Sequence, residues 1–510
     1  MDYIRTPIIV GLLVVSYLLV LEWNKDFPPE SPQTTSVQNE SIADELVVPE
    51  TDLSPQTPTT EAQLSTPEDI SVSQEVPMDS QFEDQISGSE ITVDTDLLAV
   101  KIDLQGGQMV YAALKEYPVS LNNRAPLELF INEGERYFVA KSGLIGANGF
   151  DSSKNGPPPQ YTVTQSNFQL ADDQDKLIVD LNYERDGIKI TKRYTFIRDS
   201  YVINVDFIID NASDSNWAAN FFAQLERNQM ADPTSSGGFG AVSYLGAVIS
   251  TQEEPYEKIS FSDIADQDYK FSDTGGWIGF IQHYFVSAWI PKADDRHTYQ
   301  LKEKSGRFLM GYVDPRLTVA PGTSQSVGAK LYVGPKILED LKEIAPNLDL
   351  TIDFGILWLI AKPLFLVLDF IHDYVANWGI AIILLTVLIK ALFFHLSAAS
   401  YRSMANMRRV TPELTRIRET YGDDRQKMSQ AMMELYKKEK INPLGGCLPI
   451  VVQMPVFIAL YWVLLESVEL RQAPFFFWIQ DLSIKDPYFV LPLAMGATMC
   501  FGPCWIVPWK

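Results

Sequence analysis

The sequence has 510 residues, 41 Lys and Arg against 65 Asp and Glu, and a formal net charge of −24. That length has room for several domains, and its three cysteines, Cys447, Cys500 and Cys504, all beside or within apolar C-terminal segments, exclude a disulfide framework in the polar part. The average charge excludes little, because residues 26–100 hold seventeen acids and no Lys or Arg whereas 402–440 hold ten bases against six acids.

Taken in order, 1–25 contain a short apolar run, 7–21, followed by the bulky polar Glu22-Trp23-Asn24 rather than a small-residue cleavage site. An uncleaved transmembrane anchor is expected, with Trp23 at the interface. Residues 26–90, with eight prolines by Pro77, cannot bury enough apolar surface to offset chain entropy; a disordered acidic tether is expected.

From 91 to 345 short runs alternate in polarity. Leu177, Val179, Leu181 and Tyr183 alternate, Asp186-Gly187 supplies a hairpin turn, and Ile188 and Ile190 resume the alternation. One all-β, antiparallel β-sandwich is expected. His283 and His297 stand alone in it, and no carboxylate pair has catalytic spacing, although a carbohydrate-binding or epimerase role remains open for such a domain. Residues 337–347 read as a short helix leading out. The run 354–371, inside the segment 350–376, is interrupted by Lys362, Pro363 and Asp369, and is expected to lie as an amphipathic helix in the membrane interface.

Residues 379–396 are eighteen mostly apolar positions, long enough to cross most of a ~30 Å hydrocarbon core. Lys390 sits inside the run, with Thr386 one turn before and Ser397 two turns after, on one helix face. A cation at that depth costs roughly 2.5–3.5 kcal/mol, so it faces protein or water, or snorkels to headgroups about 10 Å away. The transmembrane helix is placed at 378–399.

Residues 401–441 read as a basic helical hairpin. Met404, Met407, Val410, Leu414, Ile417 and Tyr421 form one stripe, with a bend expected at Thr411-Pro412; Asp423 or Asp424 caps the second arm, whose stripe is Met428, Met432 and Leu435. The stripes can simply pack on each other, or serve as an adaptable binding surface. The basic face, with Arg408, Arg409, Arg416, Arg418, Lys437 and Lys438, suits anionic lipid or ribosomal RNA. A second span, 446–467, carries Gln453, which can both donate and accept hydrogen bonds. A loop, 468–487, and a partial span, 488–508, follow. Placing the basic hairpin inside and the sandwich outside satisfies the positive-inside bias with a single crossing at 378–399.

Three stretches carry a resemblance: NWGIAIILLTVLIKA, GDDRQKMSQAMMELYKKEKINPLGGCLPIVVQMPVF, and SVELRQAPFFFWIQDLSIKDPYFVLPLAMGATM. In them the chain closely resembles the bacterial YidC membrane insertases of the YidC/Oxa/Albino group, over residues 1 to about 500. The resemblance implies a multi-domain protein of the bacterial inner membrane: a periplasmic β-sandwich, an interfacial helix, and a polytopic α-helical core, 377–510, with a cytoplasmic hairpin. It implies a groove open to lipid and cytoplasm, lined by Lys390, Thr386, Gln453 and Ser397, that inserts membrane proteins alone or with the Sec translocon. The hairpin would contact clients or ribosomes. The group's groove cation is usually arginine where this chain has Lys390, and after Met499 its pattern gives way to CFGPCWIVPWK, which reads as a truncated or frame-shifted end. No nucleotide loop, catalytic constellation, cofactor or metal is expected, and no DNA. A membrane-anchored periplasmic glycan-binding or envelope-assembly protein is the alternative, and an ion-coupled transporter a third reading.

Overall fold

The computed structural model describes residues 90–230, 232, 234, 243–422, 424–439 and 448–505. The expected anchor 1–25 and tether 26–90, apart from Glu90, lie outside the described residues, as do 440–447 and the last five positions.

The alternating runs form strands for the expected reason. In Ile188–Ile197 and Val202–Asn211 every second side chain is buried, so each strand gives one face to the core and one to solvent. Asp186 and Gly187 both take positive φ, 54° and 77°, between the paired residues Arg185 and Ile188, as a tight hairpin turn requires. Trp217–Asn228 differs, being buried on both faces, because it lies inside the larger sheet.

Among the described residues the strands make a ten-stranded and an eight-stranded sheet. The larger runs from Tyr269–Thr274 through Arg307–Val319 and Trp217–Asn228 to Glu90–Asp94 and Asn167–Gln169. The smaller runs from Glu257–Ile259 through Phe285–Ile290 and Ser324–Pro335 to Lys176–Arg185. Neighbouring strands pair antiparallel, except that Glu90–Asp94 pairs parallel with Asn167–Gln169. That three-residue pairing departs from the all-antiparallel expectation, and three residues give alternation nothing to reveal. The β-rich part is thus two large, almost wholly antiparallel sheets, with one continuous apolar core that reaches into the helices that follow.

The first helix, α1 (Phe261–Asp266), sits within the β-rich part behind a Ser260–Asp263 capping box. Next, α2 (Leu338–Ile344) falls inside the expected 337–347. The third, α3 (Trp358–Val375), buries Ala361, Phe365 and Leu368. With the preceding turn it forms a 21-residue apolar stretch, Gly355–Val375, long and apolar enough to cross a membrane. The sequence reading laid this segment on the surface; by length and hydropathy it equally suits a crossing.

Asn377 caps α4 (Trp378–Leu392) by accepting from the Ile380 amide. The run read as one straight span is instead two helices, because α4 meets α5 (Phe394–Tyr421) at a 62° bend around Phe393. The helix α5 runs unbroken through Pro412, where the sequence leads one to expect a bend. Next, α6 (Arg425–Lys438) starts behind Asp424, whose carboxylate accepts from the Gln426 and Lys427 amides. It packs on α5 with Val410 and Leu435 buried between them. Finally, α7 (Leu448–Glu466), with Pro455 inside it, packs on α3, and α8 (Val490–Trp505) closes the described chain.

The β-rich part and the helices meet at the end of α7. Lys336, just past the strand Ser324–Pro335, makes an ion pair of 3.1 Å with Glu466, both side chains 1% exposed. The His283 ring lies 3.0 Å from the Leu465 carbonyl, and burial holds its pKa below the ordinary histidine value. Arg471 donates to the carbonyls of Pro118 and Val119, and Gln472 donates to Pro118 as well.

Candidate functional site

Apolar helices make polar groups conspicuous, and α4 and α7 carry three of them. Lys390 is exposed near the end of α4, with its ammonium 5.3 Å from the centre of the Phe457 ring on α7. Such a contact is worth about 0.5–2 kcal/mol, the larger value where water is scarce. It ties the cation to the neighbouring helix rather than leaving it loose. Thr386, one turn earlier, is half-buried, and its hydroxyl donates to Ile382 within its own helix at 2.8 Å.

Gln453 lies one turn before Phe457 on α7. It is 8% exposed, and its Nε2 has no hydrogen-bond partner. Leaving a buried amide donor unpaired costs roughly 1–3 kcal/mol. A leucine there would avoid that cost, so the glutamine holds hydrogen-bonding capacity in reserve, one turn from the Phe457 ring that the Lys390 ammonium faces. The contact of Lys390 with Phe457 is what links α4 to α7 at this point, one turn from the unpaired Gln453 amide.

Ser397 does not fall where helix counting puts it. It lies beyond the bend at Phe393, so the line from Thr386 through Lys390 along one straight helix does not extend to it. Ser400, one turn further on, is buried at 6%.

On the α5–α6 pair, Arg408, Arg409, Arg416, Arg418, Lys437 and Lys438 are all exposed. Met428 and Met432 are half-buried, whereas Met433 is 56% exposed and Met404 39%. Met404, the first residue of the expected stripe, is thus open, and so is Met433, which the stripe reading did not name. Helical periodicity contained the signal, since Met433 follows Met432 by about 100° around the helix.

The Lys336–Glu466 pair was missed altogether. Nothing local marks it: Glu466 reads as the polar end of a span, and Lys336 as the start of a linker. Among the described residues one group could hold a metal ion. Asp369, His372 and Asp373 bring ligand atoms within 4.8 Å of one another, at a half-buried to exposed place on α3. The His372 ring stacks on Trp378 at 3.9 Å. In the β-rich part a cavity of about 660 Å³ is lined by Asn204, Asp206, Lys292 and Lys330 among others; its lining has one carboxylate and no aromatic side chain.

Two family models match the chain: the YidC periplasmic domain over residues 90–367, and the 60Kd inner membrane protein over 370–503. A protein named membrane protein insertase YidC from Hahella chejuensis is 63% identical over 508 residues, covering 98% of this chain and 88% of that relative. Proteins of the same name from Marinobacter nauticus and Pseudomonas fluorescens are each 49% identical, over 507 and 501 residues, with the same coverage. The solved structure of a galactose mutarotase related enzyme from Lactobacillus acidophilus matches 48% of this chain and 97% of its own at 10% identity; its TM-score of 0.32 is too low to carry any argument. The two model matches, and identities of this size along nearly the whole sequence, place the chain in the YidC family of inner membrane proteins.

Proposed function

We propose that this chain is an inner-membrane protein insertase, as its relatives are named, that it also acts as a chaperone for its clients, and that clients are handled where α4 and α7 meet at Lys390 and Phe457. The observation that carries the reading is Gln453, a buried amide with an unpartnered donor, one turn from the ring on which Lys390 rests. The work is physical and needs no catalytic group. A polar or acidic tail of a client is hydrated and attracted by Lys390, Gln453 and Thr386, while its apolar helix passes into lipid and supplies the driving force. Ser397 and the bend at Phe393 form the entrance to this meeting point.

The proposed topology puts the β-rich part and 468–487 in the periplasm and the basic α5–α6 pair in the cytoplasm, with a multi-pass core, in keeping with the positive-inside bias. Within that scheme the exposed bases and Met433 receive clients, anionic lipid or the ribosome. The Sec translocon is the proposed partner at the outer face. The glycan-binding alternative calls for acids and aromatic rings converging in one cleft; the 660 Å³ cavity has one acid and no ring, whereas a smaller one of about 300 Å³ is lined by Phe150, Trp217 and Asp186.

The test is depletion-rescue of an insertase-deficient strain with Lys390, Lys390→Arg and Lys390→Leu forms, scored on clients with acidic and with neutral tails. Leu is expected to impair acidic-tailed clients selectively. Arg, which stays charged in poorly hydrated surroundings, matches or exceeds Lys. Equal insertion by all three forms across both client types removes Lys390 from the mechanism.

A further inference from the structure

The segment after α7 is built from two aromatic groups that face opposite ways. The Phe475 ring packs against the first turn of α4, where a Cβ on Gly379 would come within 2.1 Å of it. The amide of Asn377, whose oxygen caps α4, donates to the carbonyls of Pro474 and Phe475 at 3.4 Å. The loop is therefore fastened to the start of α4. Two residues on, Phe477 is held at φ 54°, in the left-handed region that a phenylalanine rarely occupies, and its side chain is 86% exposed. Its ring stacks near Trp478, whose Nε1 donates to Asp486. Backbone bonds from Phe475 to Ile479 and from Ile479 to Phe476 close the turn. A turn that is tied down on one side and strained on the other, and that presents an aromatic ring to its surroundings, is built for something apolar outside the chain. The exposed Tyr374 and Tyr488, at the end of α3 and just before α8, place rings at neighbouring helix ends, as an interfacial aromatic belt does.

We propose that the Phe475–Ile479 turn is a depth anchor: Phe477 and Trp478 occupy the lipid interface of the outer leaflet, and through Phe475 they fix how deep α4 sits. This rests on the topology proposed above. The consequence is geometric. Lys390 lies eleven residues after Gly379, so at 1.5 Å per residue it sits about 16 Å below the belt, close to the middle of a ~30 Å core. The anchor makes Phe477 a positioning residue for Lys390, although the two never touch.

The experiment uses the full chain in phosphatidylglycerol–phosphatidylethanolamine vesicles, with Cys447, Cys500 and Cys504 changed to serine. A nitroxide is attached in turn at Phe477→Cys, at Ile383→Cys on the exposed side of α4, and at Lys154→Cys on the β-rich part. Collision rates with oxygen and with an aqueous nickel chelate give the depth of each label. The expected result is a label at 477 that collides more with oxygen than with nickel, at headgroup-to-shallow depth, while 154 shows the reverse. A label at 477 as open to nickel as 154, or shielded from both reagents by a protein partner, overturns the proposal. If 383 is lipid-exposed in that case, only the anchor fails; if 383 is aqueous, the membrane reading of α4 fails too. A second arm reads the 383 label in Phe477→Ser and Phe477→Trp chains. Ser is expected to shift its depth and Trp to preserve it, and an unchanged depth in both overturns the positioning role.

Discussion

Breaking the Lys336–Glu466 pair should unfasten the β-rich part from the helices, and the size of the effect follows from burial. Both side chains are 1% exposed and 3.1 Å apart, so neither has water to fall back on. Removing one partner of a buried pair typically costs about 3–5 kcal/mol, because the other charge stays buried alone. Replacing both with apolar side chains is commonly neutral or mildly stabilising. Lys336→Met and Glu466→Leu should therefore each be damaging, and the double variant mild. The assay is native-state hydrogen exchange in detergent, read at two amides that report the joint from each side. These are Lys336, which donates to the Tyr284 carbonyl, and Ser467, which donates to Val463 at the end of α7. With 1.4 kcal/mol per decade, each single variant should speed local exchange at both amides by about a hundredfold or more. The double variant should return to within about tenfold of wild type. Single variants that exchange like wild type, or a double variant as fast as the singles, would refute the claim that this pair holds the joint.

Gln453→Leu should raise thermal stability, since it removes an unpaired buried donor worth roughly 1–3 kcal/mol, while lowering insertion of polar-tailed clients; loss of both together would make Gln453 structural. Both ring nitrogens of His297 face acceptors, Asp314 at 2.7 Å and the Lys292 carbonyl at 2.8 Å, and the protonated ring donates to both. Burial opposes its charge, but the bond to Asp314 and that residue's charge outweigh burial and raise its pKa above the ordinary 6.5. Its stabilisation is thus fully present below about pH 6.5 and lost as pH rises through the raised value, so the urea midpoint of the β-rich part should fall over that interval and His297→Gln should flatten the fall. Asp424 is held below the usual carboxylate range by the amide and side chain of Lys427. Asp424→Ala should speed amide exchange at Gln426 and Lys427 above about pH 4, Asp424→Asn should not, and acidification through the lowered pKa should imitate Ala in the wild type.

Much of this was legible where a local rule acts alone. The alternation of Ile188–Ile197 and Val202–Asn211, the Asp186-Gly187 turn and the Asp424 cap all appear where one strand face, one turn or one helix end determines them. Lys390, Thr386 and Gln453 were visible because a polar group inside an apolar run stands out against its neighbours. What escaped were features made by two distant segments. The partners Lys336 and Glu466 are 130 positions apart, and each is unremarkable in its own surroundings. Local rules also gave no sign of the sharpest bend: α5 is continuous through Pro412, whereas the 62° bend falls at Phe393, where no proline or glycine announces it.

That bend changes what the candidate site can be. In one straight helix, Thr386, Lys390 and Ser397 would form a single polar stripe, and a client segment would slide along it. With α4 and α5 at 62° to each other, the stripe stops at Lys390, and the basic pair α5–α6 starts in a new direction within one turn. The cation then stands one turn before the corner from which α5 leads on toward its exposed arginines, the first of them Arg402. On the proposed insertase reading, a lysine there would keep its ammonium partly hydrated, and its flexible stem would let the charge follow a client inward. An arginine in that place would bring a rigid fork, and with it a stronger but more fixed grip on a carboxylate. The Phe457 ring beside Lys390 suits the mobile arrangement, because a cation–π contact tolerates sliding of the ammonium over the ring where a bidentate bond does not. On this geometry lysine and arginine are two settings of one device, differing in how tightly the corner holds what it attracts.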